Sequence, residues 1–180
     1  MMKSVTLPMN EDTRKSLRIG DQLLLSGFLY TGRDAAHKLM VEAINDRTPL
    51  PFQIEGESIY YTGPTPPKPN QVIGACGPTS SYRMDTYSIP LMNNGLKVMI
   101  GKGPRGEKFR KELVKTESVY LVTTGGIGAL LSKRVLQMEL VAYPHLQSEA
   151  VYRLLVKDFP VIVAYDSVGN DLFEGSEEEN

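Results

Sequence analysis

Three cations stand beside turns in this 180-residue chain. Arg33 joins a strand-like run to a helical one, Arg83 falls in the first turn of a predicted helix, and Lys102 follows an apolar run. Open α/β folds place ligands beyond the ends of their strands. A guanidinium offers a planar fork to a carboxylate, and an ammonium adds a compact charge. Converging, the three would suit a small molecule with two carboxylates; taken singly, each could be an ordinary surface cation. Thr79 is the one plausible catalytic side chain nearby. Its hydroxyl ionises far above neutral pH unless cations and helix amides stabilise the alkoxide. The turn Gly77-Pro78-Thr79 opening a helix, with Arg83 one turn further on, could supply both. Equally, Thr79 or Ser80 could simply cap that helix.

Other candidates point to structure. His37 lies beside the apolar face of a helix, and Cys76 reads as a small buried residue at a strand end. His145 follows Tyr143-Pro144 in a turn and should be exposed, while Asp85 should pair with a nearby arginine or cap a turn. One cysteine and two histidines cannot build a cysteine-rich zinc site or hold a complete iron–sulfur cluster, so no metal site is assigned to this chain. Two nucleotide-site readings fail. Gly126-Ile127-Gly128 has Leu131 where a dinucleotide loop needs its third glycine, and reads better as close helix packing. Gly95…Gly101-Lys102 has one residue too many for a phosphate loop, and Gly103 replaces the required hydroxyl.

The elements that must position these residues alternate in type. Strands are predicted at Ser4–Met9, Gln22–Tyr30, Ser58–Thr62, Val72–Ala75, Val98–Gly101, Ser118–Thr123, Leu136–Val141 and Pro160–Tyr165. Helices are predicted at Asp34–Asn45, after Gly77-Pro78-Thr79, at Glu107–Lys115 and over Gly125–Arg134. The first carries Ala35, Ala36, Leu39, Met40, Ala43 and Ile44 on one stripe. Glu149–Val156 is left as helical or extended. Gly63–Asn70, with four prolines in eight residues, is a long irregular loop inside one domain. The class is therefore α/β, with no internal repeat.

Composition bounds the rest. Hydrophobic residues make up 41% and the net charge is −1, an ordinary globular balance. Four of the acids sit in the last seven residues, 174–180, leaving +3 on residues 1–173. We expect residues 1–173 to form a single domain and 174–180 to be a disordered acidic tail. No basic stripe with interleaved aromatics suggests nucleic acid, and no apolar run approaches the ~20 residues that span a bilayer. The N-terminal segment lacks an apolar leader core, so a cytoplasmic location is expected.

Five segments then carry a resemblance. LSGFLYTGRDAAHKLM (25–40), GPTSSYRMD (77–85), KVMIGKG (97–103), TGGIGALL (124–131) and VKDFPVIVAYDSVGND (156–171) resemble the β subunit, or C-terminal region, of class I iron–sulfur-dependent fumarate hydratases and L-tartrate dehydratases. The resemblance runs from about residue 18 to 173. It implies a swivelling β/β/α domain, mixed sheets flanked by helices. It implies a hydro-lyase whose four-iron four-sulfur cluster is held by a partner α subunit, within a higher-order hetero-oligomer. It implies that Arg33, Arg83 and Lys102 bind the carboxylates of the substrate while Thr79 exchanges the proton on the adjacent carbon. The expected reaction is hydration of fumarate to malate; the alternative is dehydration of tartrate to oxaloacetate. A non-catalytic anion-binding domain of the same fold is the remaining contrast. The family commonly reads GPTTAGRMD, so Ser80-Ser81-Tyr82 is a departure that alters one wall of the pocket.

Overall fold

A computed structural model describes residues 2–124 and 128–174. Its strands are β1 (Lys3–Leu7), β2 (Gln22–Thr31), β3 (Ser58–Tyr60), β4 (Val98–Gly101), β5 (Val119–Thr123), β6 (Val135–Ala142) and β7 (Val151–Tyr165). They form one sheet in the order β1-β2-β3-β4-β5-β7-β6, and β2 also pairs with β7. That extra pairing closes β2, β3, β4, β5 and β7 into a five-strand, barrel-like ring. Its parallel half is β2 through β5; β7 runs antiparallel to both β2 and β5. The sheet is thus mixed, as expected.

Two strands have to serve more neighbours than a strand has edges. Along one edge, β2 pairs first with β1 (Lys3↔Leu23 to Leu7↔Gly27), then with β3 (Tyr30↔Ile59, Thr31↔Tyr60). Gly27 sits at the changeover with φ +133°, and a Cβ there would meet the Leu7 carbonyl oxygen at 2.4 Å. No other residue fits. Likewise β7 pairs β6 over Val151–Val156 and β5 over Val161–Tyr165. Between these halves Lys157 and Asp158 bulge opposite Ser26, with Asp158 at φ +53° and its N–H bonded to Ser26 Oγ at 3.0 Å.

Inside the ring lie Leu23, Leu25, Leu29, Val98, Ile100, Leu121, Leu154, Phe159, Val161 and Val163, all buried. Outside it, helices cover a second core of Met40, Ile59, Met84, Leu91, Met99, Phe109, Leu113 and Tyr120. The helices over this second core are α2 (Asp34–Asn45), α3 (Asp85–Asn93) and α4 (Glu107–Lys115), while α1 (Glu11–Ser16) lies apart from it and α5 (Gly128–Leu131) packs Leu131 into the first core. A single 3-10 turn, Ser81–Met84, leads into α3. The apolar stripe of α2 buries Ala36 and Met40, and each large side chain of this kind contributes about 1.5–3 kcal/mol. Among the described residues no helix is long and apolar enough to cross a membrane.

Three expectations need correction. No strand forms at Val72–Ala75. Its backbone bonds instead to Thr65, through Gly74 N–H to the Thr65 carbonyl at 3.1 Å and Ala75 N–H to Thr65 Oγ1 at 2.8 Å, doubling the proline-rich loop back on itself. The strand predicted to begin at Pro160 begins at Val151, because the bulge at Asp158 lets the ladder continue through a sequence that reads as a break. The helix predicted over Gly125–Arg134 is α5 followed by the 3-10 turn Ser132–Arg134, with residues 125–127 outside those described. The acidic tail, apart from Glu174, also lies outside them.

Candidate active site

The parallel half of the ring delivers its strand ends to one side of the molecule. Arg33 stands two residues beyond β2, at the position preceding α2, and makes no side-chain cap there. Its Nε lies 3.6 Å from Glu149 Oε1 and is buried without a hydrogen-bond partner. Beneath it, His37 is fully buried with Nδ1 at 2.8 Å from the Arg33 carbonyl, so Nδ1 carries the hydrogen and donates. Burial holds the imidazole pKa down at about 4, leaving it uncharged near neutrality. His37 is thus the structural residue the sequence suggested.

The Gly77-Pro78-Thr79 turn is laid beside the chain leaving β3. Tyr60 donates its hydroxyl to the Cys76 carbonyl at 2.5 Å, Thr62 Oγ1 donates to the Gly77 carbonyl at 2.7 Å, and Thr79 N–H donates to the Tyr61 carbonyl at 2.9 Å. On its far side the turn meets the residue after β4. Ser81 N–H donates to the Lys102 carbonyl at 3.0 Å, and Lys102 N–H donates to Ser81 Oγ at 2.7 Å. Helix α5 closes the back: a Cβ on Gly128 would lie 2.5 Å from Gly77 N, so only glycine permits this approach. The glycine at 128 therefore packs a helix on a turn, where the sequence suggested packing on a sheet. Gly126 and Ile127 lie outside the described residues.

Arg83 reaches back across the 3-10 turn and donates from Nη2 to Thr79 Oγ1 at 2.5 Å. The same Nη2 lies 3.7 Å from Asp34 Oδ1, an oxygen buried without a hydrogen-bond partner. One guanidinium thus links Thr79 to the residue next to Arg33. The capping alternative fails: Ser80 takes the cap position without a side-chain cap bond, because Ser81 Oγ is bonded across to Lys102 and Thr79 Oγ1 to Arg83. Lys102 is exposed and lines, with Gly77, Pro78, Val122, Thr123 and Phe173, a cavity of about 420 Å³. All four predicted residues therefore stand beyond the carboxyl ends of parallel strands. Thr79 and Arg83 touch directly, Arg33 joins them through Asp34, and Lys102 joins them through its backbone.

The remaining candidates fall as follows. Asp85 pairs with Arg105, Nε to Oδ1 at 2.5 Å, as expected of it. His145 is exposed. Cys76 is buried, which pushes its thiol up to about 11, and no three His, Cys, Asp or Glu side chains converge as a metal set among the described residues. Tyr82 is 65% exposed beside Arg83. Sequence reasoning missed Arg105. Placed between Pro104 and Gly106 in a turn, it has the look of a surface residue, and only the demand of Asp85 for an arginine hinted otherwise.

Comparison with known proteins places the chain in a family. Residues 2–176 match the family model described as Fumarase C-terminus. The chain is 35% identical over 158 residues to the anaerobic class I fumarate hydratase of Escherichia coli, covering 87% of this chain and 29% of that protein. It is 33% identical over 157 residues to fumarate hydratase 2 of Leishmania major, at 86% and 28%. A protein of similar length, the putative L(+)-tartrate dehydratase subunit beta of Methanocaldococcus jannaschii, is 38% identical over 172 residues, at 89% and 85%. The chain thus spans under a third of the fumarate hydratases it matches and most of the tartrate dehydratase subunit. With its family model matched almost from end to end, the chain belongs to the Fumarase C-terminus family.

Proposed function

We propose that this chain is the β subunit of a class I fumarate hydratase, a hydro-lyase interconverting fumarate and malate in the cytoplasm. Its partner is an α subunit that carries a four-iron four-sulfur cluster. The observation that carries this reading is the 2.5 Å bond from Arg83 to Thr79 Oγ1, set among Arg33 and Lys102 at the ends of parallel strands. A threonine is a poor base in water, and a hydrogen bond from a cation favours its alkoxide. In this reading Arg33, Arg83 and Lys102 take the two carboxylates, and Thr79 exchanges the proton on the carbon next to one of them. Arg33 Nε and Asp34 Oδ1 have long ion-pair contacts but no hydrogen bond, so a bound substrate could engage the first and reorganise the second.

The residues described in this chain do not fit the cluster: its one thiol is buried and its pKa is raised. Every step assigned here is therefore one its own side chains perform, and the cluster belongs to the partner. The match to a separate beta subunit of nearly the same length supports a two-subunit enzyme. That match also supports a second reading, L-tartrate dehydratase, since both diacids need the same cations. Reconstituting the chain with its α partner anaerobically and assaying both substrates separates them. We expect kcat/KM for malate or fumarate to exceed that for tartrate by roughly tenfold or more, since polar groups placed for one substrate discriminate against the other. The reverse preference would establish the tartrate reading, and turnover of neither would overturn both.

A further inference from the structure

Arg105 is an enclosed cation, with no exposed side-chain surface. Its guanidinium carbon lies 3.5 Å from the centre of the Phe109 ring, 4.9 Å from that of Tyr120 and 5.1 Å from that of Tyr61. The fork is shared out completely. Nε donates to Asp85 Oδ1 at 2.5 Å, Nη1 to the Tyr61 hydroxyl at 3.1 Å and Nη2 to Ser88 Oγ at 3.2 Å. Its backbone N–H donates to the Tyr165 hydroxyl at 2.6 Å. Asp85 Oδ2 accepts the Gly106 N–H at 2.7 Å, and the Tyr120 hydroxyl donates to the Gly103 carbonyl at 2.8 Å.

Three of these contacts adjoin segments that carry or hold a site residue: those to Tyr61, to Asp85 and to the Gly103–Gly106 turn. Tyr61 holds Thr79 through its carbonyl. Asp85 follows Arg83 by two residues, and the backbone from Gly103 to Gly106 continues directly from Lys102. Stability alone is a weak account of such a residue. Buried ion pairs can often be exchanged for apolar side chains without loss, because desolvating the charges offsets their attraction. A planar fork with a partner on each of its three nitrogens does fix the relative placement of the segments it joins. We infer that Arg105 is a positioning residue: through Asp85, Tyr61 and the Gly103–Gly106 turn, it sets the spacing of Arg83, Thr79 and Lys102. This rests on the reading of those three as the dicarboxylate site.

The test uses the assembled two-subunit enzyme carrying Arg105→Lys. Lysine keeps the charge, but its single ammonium cannot serve Asp85, Tyr61 and Ser88 in one plane while lying flat on Phe109. Leu113→Ala, a truncation at a buried residue of α4, serves as the destabilised control. At a temperature where all variants remain assembled, Arg105→Lys should lower kcat/KM by roughly ten- to a hundredfold, mainly through KM, as misplaced carboxylate-binding groups do. Leu113→Ala should lose melting temperature with KM unchanged. A kcat/KM for Arg105→Lys within twofold of wild type would overturn the inference. If Arg105→Lys does not assemble, Asp85→Asn takes its place: a KM rise of severalfold or more supports the inference, and an unchanged KM overturns it. Arg83→Ala, measured alongside, separates the two levels. Wild-type kinetics in that variant would remove the dicarboxylate site itself, whereas loss there with normal Arg105→Lys and Asp85→Asn kinetics would remove only the positioning role.

Discussion

Arg83 stands in the 3-10 turn and Arg105 is paired to Asp85, two residues further on, yet the molecule treats the two arginines in opposite ways. Arg105 is sealed among three aromatic rings with a hydrogen-bond partner on each guanidinium nitrogen. Arg83 keeps 40% of its side-chain surface exposed and divides one nitrogen between a threonine and a carboxylate 3.7 Å away. Arg33 resembles Arg83, its Nε making a long contact to Glu149 and no hydrogen bond. The difference teaches how to sort cations in this fold. A saturated guanidinium belongs to the framework, and an unsaturated one at a strand end is available to a ligand.

The contrast breaks most visibly at Arg83. Its contacts within this chain are half exposed, so Arg83→Ala should change unfolding free energy by no more than about 1 kcal/mol. If the proposed function holds, the same change in the assembled enzyme should cost about 2–5 kcal/mol of substrate and transition-state binding. Urea unfolding and steady-state kinetics on the same preparation check both halves. A large stability loss with normal kinetics would place Arg83 with Arg105.

His37 sharpens the framework side. Its imidazole titrates near 4 when folded and near 6.5 when free, so between those values the unfolded chain binds the extra proton. Stability is therefore fully present above about pH 6.5 and falls as pH drops toward 4, by on the order of 3 kcal/mol. Unfolding free energies measured from pH 7 to pH 4.5 should show this slope, and His37→Gln should flatten it. An unchanged slope in that variant would mean His37 is hydrated or charged in the fold.

How much of this was legible beforehand depended on how local the cause was. Helix Asp34–Asn45, helix Glu107–Lys115 and strand Val98–Gly101 follow from periodicity and adjacent turn residues, and the structure places them at those same residues. β7 was cut short because Asp158-Phe159-Pro160 reads as a break, and the bulge that carries the ladder through it depends on Ser26, 132 residues away. The capping expectation for Thr79 failed for a similar reason, since its hydroxyl partner is a side chain that local propensity does not weigh. The cations at strand ends were visible from spacing, and their convergence follows from the parallel order of β2 to β4. Arg105 stayed hidden because its burial arises only when α3, α4, β5 and the Tyr61 segment come together.

The account turns on Thr79 acting as the base, and its removal in the assembled, cluster-loaded enzyme tests this most directly. With Thr79→Ala, turnover should fall by roughly two or more orders of magnitude, and exchange of the substrate C–H proton with solvent should fall in parallel. Substrate binding should persist through Arg33, Arg83 and Lys102, and the melting temperature should barely move. Near-normal turnover and proton exchange in that variant would contradict the account and place the base elsewhere.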